Sequence, residues 1–208
     1  MRVELAGRTD SGVHARGQVA AFTAATRLEA AAIGRALNAL LPEDVAVRAV
    51  REVPPGFDPR RWARRRRYRY TIANGEARDP LARRYAWYLE GTLDEPAMQH
   101  LAAAFAGRRN FSAFAGKLEP GRSPVRTVFE TGVHRAGDEL HIDIEADAFL
   151  PQMVRRIVAA LVRVGRHAET EEEIVRLLEQ ARPGSYTYVA PARGLCLERV
   201  WYDEGYQP

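Results

Sequence analysis

The stretch Val125–Ala148, VRTVFETGVH-RAGDE-LHIDIEADA, reads as two extended runs around a short polar turn. In the second run Leu140, Ile142, Ile144 and Ala146 alternate with His141, Asp143, Glu145 and Asp147. Successive side chains of a strand point to opposite faces, so this alternation describes an antiparallel hairpin with one buried and one wetted face. Arg135-Ala136-Gly137-Asp138-Glu139 supplies the turn. The same period appears upstream, where Tyr68, Tyr70 and Ile72 alternate with Arg67, Arg69 and Thr71. Val45–Val53, rich in valine and closed by Pro54-Pro55-Gly56, and Leu195–Tyr202 read as further strands.

Four segments between these strands carry helix signals. Thr26 and Glu29 stand in capping-box spacing before Ile33, Leu37 and Leu41, and Pro42 stops that run. Asp94 is placed to cap a helix with Pro96 in its first turn, Leu101 and Phe105 on one face, and Gly107 at its exit. Pro151–Val164 puts Met153, Ile157, Leu161 and Val164 on one stripe, with Gln152, Arg155, Arg156 and Arg163 on the other. Thr170 and Glu173 form a second capping box before Ile174, Leu177 and Leu178, and that helix closes near Pro183-Gly184. Strand runs with interspersed helices predict an α+β protein, the helices covering one face of a mainly antiparallel sheet. A boundary near Tyr88–Leu93 divides the chain into an N-terminal half, residues 1–90, and a C-terminal half, residues 91–208.

Composition narrows the function classes. With 208 residues, 46% apolar and 28% charged, the chain has the make-up of a folded globular protein rather than a disordered one. A single cysteine, Cys196, excludes a disulfide framework and a cysteine-only zinc site. No run approaches the ~18 apolar residues of a membrane span, and the start MRVELAGRTD has no signal-peptide core, so a cytoplasmic protein is expected. The net charge of +4 is concentrated in one place: Arg60–Tyr70, RRWARRRRYRY, holds seven arginines and no acid. Without that window 24 basic residues face 27 acidic ones. Every basic residue but Lys117 is arginine, a bias that a GC-rich coding sequence also produces.

Three places carry candidate chemistry. In Ala6-Gly7-Arg8-Thr9-Asp10-Ser11-Gly12-Val13-His14-Ala15 two glycines bracket an Arg-Thr-Asp core, which allows a sharp turn and close approach to a ligand. There Asp10 is either bonded to its own backbone in an Asx-turn or presented as a carboxylate, kept ionised by Arg8 and backbone N–H groups, for use as a nucleophile or base. The arginine window, interleaved with Trp62, Tyr68 and Tyr70, is either a solvated charged strand or a nucleic-acid surface in which guanidinium groups meet phosphates and rings stack on bases. Arg155 is either a surface residue of an amphipathic helix or a buried cation that needs an anionic partner. Ser11 and His14 leave a metal-free hydrolase open, though no Gly-x-Ser-x-Gly elbow is present. The histidines lack metal-ligand spacing, His141 and Asp143 share a solvated strand face, and neither a Walker loop nor a dinucleotide fingerprint occurs. No metal and no cofactor is expected.

The segment AGRTDSGVHARGQVAAF closely resembles the signature of the tRNA pseudouridine synthase A family, Gly-Arg-Thr-Asp-x-Gly-Val-His-Ala. Further matches follow in order: Asn38-Ala39-Leu40-Leu41-Pro42, Arg66-Arg67-Tyr68-Arg69-Tyr70, Asn110-Phe111-Ser112-Ala113-Phe114, Arg126-Thr127, Phe149-Leu150-Pro151-Gln152-Met153-Val154-Arg155 and Ala190-Pro191-Ala192-Arg193-Gly194-Leu195. They span nearly the whole chain. The resemblance implies two related α/β halves sharing a central sheet, with the active site in the cleft between them. It implies an isomerase that converts uridines of the tRNA anticodon stem-loop to pseudouridine, acting as a homodimer with one tRNA across both subunits. Asp10 becomes the catalytic aspartate and Arg155 its guanidinium partner. Tyr68 would pack against the target base, Leu195 would wall the uracil pocket, and Arg8 would contact RNA and help displace the nucleotide. Arg65, Arg67 and Arg69 of the basic strand would then bind phosphates.

The family pattern is not met everywhere. Ser11 stands where alanine is common, and Pro151-Gln152 where a His or Asn pair is usual. In the family a first strand and a Gly-Trp-Gln loop precede the signature, whereas here Gly7 lies six residues from Met1. The first half is therefore expected to lack its N-terminal strand and expose a sheet edge. A gene start placed too far downstream and a genuinely shortened protein both account for this, and the second admits a non-catalytic RNA-binding relative.

Overall fold

The computed structural model describes residues 2–203. In chain order the elements are β1 (Val3–Leu5), β2 (His14–Ala15), β3 (Ala20–Phe22), α1 (Ala30–Leu40), β4 (Arg65–Ala73), β5 (Trp87–Tyr88), α2 (Glu95–Ala104), β6 (Gly107–Asn110), β7 (Val125–Ala136), β8 (Glu139–Ala146), α3 (Met153–Gly165), α4 (Glu171–Gln180) and β9 (Leu195–Trp201). The hairpin read from the sequence is β7–β8, with His134 opposite His141 and Gly137 turning the chain at φ +61°. Around it a seven-stranded sheet runs β2-β9-β4-β8-β7-β6. β5 continues the row beside β4 at Ile72 and Ala73, beyond the stretch that β9 covers. All ladders in it are antiparallel except those of β2 on β9 and β5 on β4. A mainly antiparallel sheet in an α+β fold is thus present.

Period two decides what the sheet buries. Tyr68, Tyr70 and Ile72 of β4 face the same way as Ile144, Ile142 and Leu140 of β8, and Leu195 and Leu197 of β9 join them; all are buried. Fully burying each such side chain contributes about 1.5–3 kcal/mol, so the parity of these strands is strongly fixed. α3 lies in the core with the predicted stripe Met153, Ile157, Leu161 and Val164 buried, as are Val154, Val158 and Val162 between them. α2 packs on β7, where the Thr131 hydroxyl donates to the Ala102 carbonyl at 2.8 Å. Its Asp94 cap accepts from Ala97 N at 2.9 Å, and α4 begins with the complete Thr170–Glu173 capping box.

Elsewhere the structure differs from the sequence reading. Val45–Val53 forms no strand; Asn38 takes up both the N–H and the carbonyl of Val47, at 2.7 and 2.9 Å, in place of a neighbouring strand. Thr26 and Glu29 make no capping box: α1 starts after Glu29 with no side-chain cap, and the Thr26 hydroxyl instead accepts from Leu28 N at 3.0 Å. None of the residues of α1 is buried. β1, β2, β3, β5 and β6 were not foreseen, because two to four residues are too few to display a period. β1 pairs only with β3, in a separate two-stranded sheet, and the central sheet ends at the two-residue β2. No helix among the described residues is long and apolar enough to cross a membrane.

Candidate active site

The Ala6–Val19 loop is anchored at its base before it reaches the site. The Gln18 side-chain amide accepts from Gly7 N at 3.2 Å and donates to Gly7 O at 2.9 Å, while Ala6 N donates to Val19 O at 2.9 Å. Arg16 and Gly17 N–H groups donate to Leu197 O, tying the loop's far side to β9. Between these anchors Asp10–Val13 makes a tight turn, with Val13 N donating to Asp10 O at 3.1 Å and Gly12 at φ +82°, a left-handed conformation that favours glycine. The turn lies against Ala192, three residues before Leu195.

Asp10 projects from this turn onto α3. Arg155 Nη1 donates to Asp10 Oδ2 at 2.8 Å, and Arg155 Nε donates to Ala190 O at 2.7 Å. The guanidinium therefore holds two segments at once, the Asp10 turn and the Ala190–Leu195 segment that leads into β9. The Asp10 carboxylate is turned toward α3, where its Oδ2 accepts from Arg155. Arg155 is likewise the partly buried cation with an anionic partner, 16% exposed against 35% for the aspartate.

Tyr68 stands beside this pair. It is 8% exposed, its ring meets Phe149 edge-on with centroids 5.1 Å apart, and its hydroxyl lies so near Gly7 that a methyl group there would come within 3.5 Å. Burial pushes its phenol up to about 12, and the Asp10 carboxylate adds to that. The group is therefore a neutral phenol throughout the physiological range. Leu195, 5% exposed, lies opposite Tyr70, whose hydroxyl donates to Pro191 O at 2.8 Å. At Gly194 a Cβ would sit 2.6 Å from the Tyr70 ring, so only glycine permits this approach. Arg8 is exposed on the same loop as Asp10.

The structure brings Asp10, Arg155, Tyr68 and the Leu195 segment together, with Arg8 exposed on the Asp10 loop. Arg65, Arg67 and Arg69 are elsewhere: strand parity turns them to the face of β4 opposite Tyr68. The expectation that no acid neutralises the arginine window does not hold, because register supplies the acids from other strands. Arg69 forks onto Asp143, directly across on β8, at 2.9 and 2.7 Å. Arg67 meets Glu145, also directly across, at 3.2 Å and Glu130 at 2.6 Å, and Arg65 reaches Glu145 at 3.2 Å. Asp143 is consequently a salt-bridge partner rather than a solvated residue.

Sequence reading passed over Arg66. It has the same parity as Tyr68 and Tyr70, which was the available signal, and it is 6% exposed. Its guanidinium donates to Asp147 O and Arg60 O, both at 2.6 Å, and to Ala6 O at 3.2 Å, fixing the residue from which the Asp10 loop departs. Burial lowers its pKa from the usual arginine value. His14 bonds the Arg84 carbonyl at 2.8 Å and packs on Tyr85, which leaves the hydrolase arrangement with Asp10 unformed. Burial raises the Cys196 thiol to about 11, so it is no nucleophile at neutral pH. Among the described residues no group of three or more His, Cys, Asp or Glu is placed to hold a metal.

The sequence is similar to those of known proteins. Residues 101–203 match a family model described as tRNA pseudouridine synthase. A tRNA pseudouridine synthase A of Geotalea uraniireducens (strain Rf4) is 40% identical over 202 residues, covering 97% of this chain and 83% of the relative. That of Moorella thermoacetica is 43% identical over 197 residues, 95% of this chain and 80% of the relative, and that of Myxococcus xanthus 42% over 207 residues, 98% and 77%. With identity at this level across nearly its full length, and with an aspartate turn, a helix arginine and a buried tyrosine converging in space, the chain belongs to the tRNA pseudouridine synthase family.

Proposed function

We propose that this protein isomerises uridine to pseudouridine in the anticodon stem-loop of tRNA, with Asp10 as the catalytic group. The observation that carries the reading is the partly buried Asp10–Arg155 ion pair, 2.8 Å long, set beside the Tyr68 phenol. The reaction breaks the N1–C1′ bond, turns the detached uracil over and joins C5 to C1′. No atom is lost and no net oxidation occurs. The chain's task is to draw a stacked uridine out of the RNA, at a cost of roughly a few kcal/mol, and hold the free base while it turns. Tyr68 and Leu195 offer flat and apolar walls for that base. Asp10 attacks the nucleoside or removes a proton from it as a carboxylate, and Arg155 holds that carboxylate in place and aimed.

The active site would lie in a cleft between the halves 1–90 and 91–208, and Arg8, exposed on the Asp10 loop, would contact the RNA. A homodimer in the cytoplasm, with one tRNA lying across both subunits, completes the reading. The decisive experiment is Asp10→Asn, assayed for pseudouridine formation on an anticodon stem-loop and, separately, for RNA binding. Loss of product with binding retained is expected. Product at the parent rate removes Asp10 from the mechanism, whereas binding without product in the unmodified chain favours a non-catalytic RNA-binding protein. Release of free uracil would indicate a hydrolase.

A further inference from the structure

The loop that carries Asp10 runs out from Gly7 and returns at Gln18, and one side chain closes it. The β1–β3 ladder reaches Leu5 opposite Ala20, and Ala6 N continues it by donating to Val19 O at 2.9 Å. At the next step the Gln18 amide takes the place of a strand. It accepts from Gly7 N at 3.2 Å and donates to Gly7 O at 2.9 Å, and its oxygen also accepts from Val19 N at 3.2 Å. A side-chain amide carries both a carbonyl and an NH₂ group, which lets one residue satisfy both polar groups of another's backbone. The limb that delivers Gln18 is itself fixed. Arg16 and Gly17 N–H groups donate to Leu197 O, and a Cβ at Gly17 would lie 2.4 Å from the Glu198 carbonyl oxygen.

Where Gly7 stands bears on the site from two directions. A Cβ there would lie 3.5 Å from the Tyr68 hydroxyl and 3.8 Å from Leu197 Cδ2, so the backbone of Gly7 runs beside the phenol. Among the described residues Gly7 is also the last one before Asp10 whose backbone is held by a hydrogen bond; Arg8 and Thr9 carry the chain on to the Asp10 turn. The carboxylate is met at its far end by Arg155 Nη1 at 2.8 Å. Asp10 is thus suspended between a clamp on its backbone and an ion pair on its side chain. We propose that Gln18 is a positioning residue for the reaction: by clamping Gly7 to the return limb, it sets where the Asp10 carboxylate stands relative to Tyr68. The inference rests on the reading that Asp10 is the catalytic group. Gln18 is uncharged and acts through the backbone, so its contribution is to geometry alone.

The test uses the whole chain and Gln18→Leu, which keeps the bulk of the side chain and removes all three of its hydrogen bonds. Single-turnover pseudouridine formation on an anticodon stem-loop should slow by about tenfold, a fraction of the roughly hundredfold cost of a 1 Å misplacement, with RNA affinity changed by less than about twofold. In an Arg155→Met background, where the carboxylate is already released, Gln18→Leu should slow the reaction by less than about threefold, because two residues that act on one group are not additive. A parent-like rate in Gln18→Leu, a loss confined to RNA affinity, or a full tenfold loss on top of Arg155→Met overturns the proposal. Should Gln18→Leu not fold, Gln18→Glu, which keeps the acceptor for Gly7 and Val19 but loses the donor to Gly7 O, carries the same comparisons with the same criteria. Asp10→Asn, assayed beside them, keeps the two readings apart. If it is active, the catalytic assignment falls and this inference with it; if it is inactive while Gln18→Leu is parent-like, only the positioning role falls.

Discussion

Replacing Arg155 by methionine tests the frame of the active site at its most connected point. The substitution keeps much of the side chain's packing but removes its charge, the 2.8 Å bond to Asp10 and the 2.7 Å bond to the Ala190 carbonyl. Breaking a fully buried ion pair costs about 3–5 kcal/mol and an exposed one about 0–1 kcal/mol. With Arg155 16% and Asp10 35% exposed, this pair falls between, at about 2 kcal/mol, and the orphaned carbonyl adds about 1 kcal/mol. Unfolding followed by circular dichroism should show Tm lower by roughly 6–12 °C, at about 2–4 °C per kcal/mol for a chain of this length. The freed carboxylate moves from its aimed position, and a displacement near 1 Å lowers kcat by about a hundredfold. KM, set by the wider RNA surface, should change little. Arg155→Lys should recover part of the stability but little of the rate, because one ammonium cannot fork between Asp10 and Ala190. A parent-like kcat in Arg155→Met would show that the guanidinium does not orient the proposed catalytic carboxylate.

Other consequences are measurable with the same assays. Tyr68→Phe removes a buried hydroxyl beside Gly7 while keeping the ring against Phe149, so single-turnover kinetics should show a slower chemical step with RNA affinity nearly intact. Gly194→Ala forces a methyl group to within 2.6 Å of the Tyr70 ring and should lower stability by about 1–3 kcal/mol in urea unfolding; a neutral outcome would mean that the Pro191–Leu195 segment yields freely. His141 titrates below the ordinary histidine value of 6.5, chiefly through burial and then through the Arg69 charge. The unfolded chain therefore binds a proton first as pH falls below 6.5, and folded stability declines from there to the lower folded pKa. His141→Gln should flatten that limb of the stability profile, and an unaltered limb would assign it to another group.

The hairpin, β4, α2, α3 and α4 were legible because each is long enough to show its period or carries a cap at the right spacing. Asp94 and Thr170 bear this out, and both make the bonds their positions imply. Thr26 and Val45–Val53 did not, and the reason is physical. A capping box needs the backbone to enter the helix at the right residue, and a strand needs a neighbour; residues around 26–53 find neither among the described residues. The same limit governs the charges. Seven arginines in eleven residues look like a free cationic strip only while the chain is read along one dimension. Folding puts Arg67 and Arg69 beside Glu145 and Asp143, some 74–78 residues away, because antiparallel register pairs β4 with β8. Parity then sends Arg66 inward, where among the described residues it meets no carboxylate and holds three carbonyls instead. What distinguishes an arginine that binds RNA from one that holds the sheet together is therefore its strand parity and its cross-strand partner, not membership of a run.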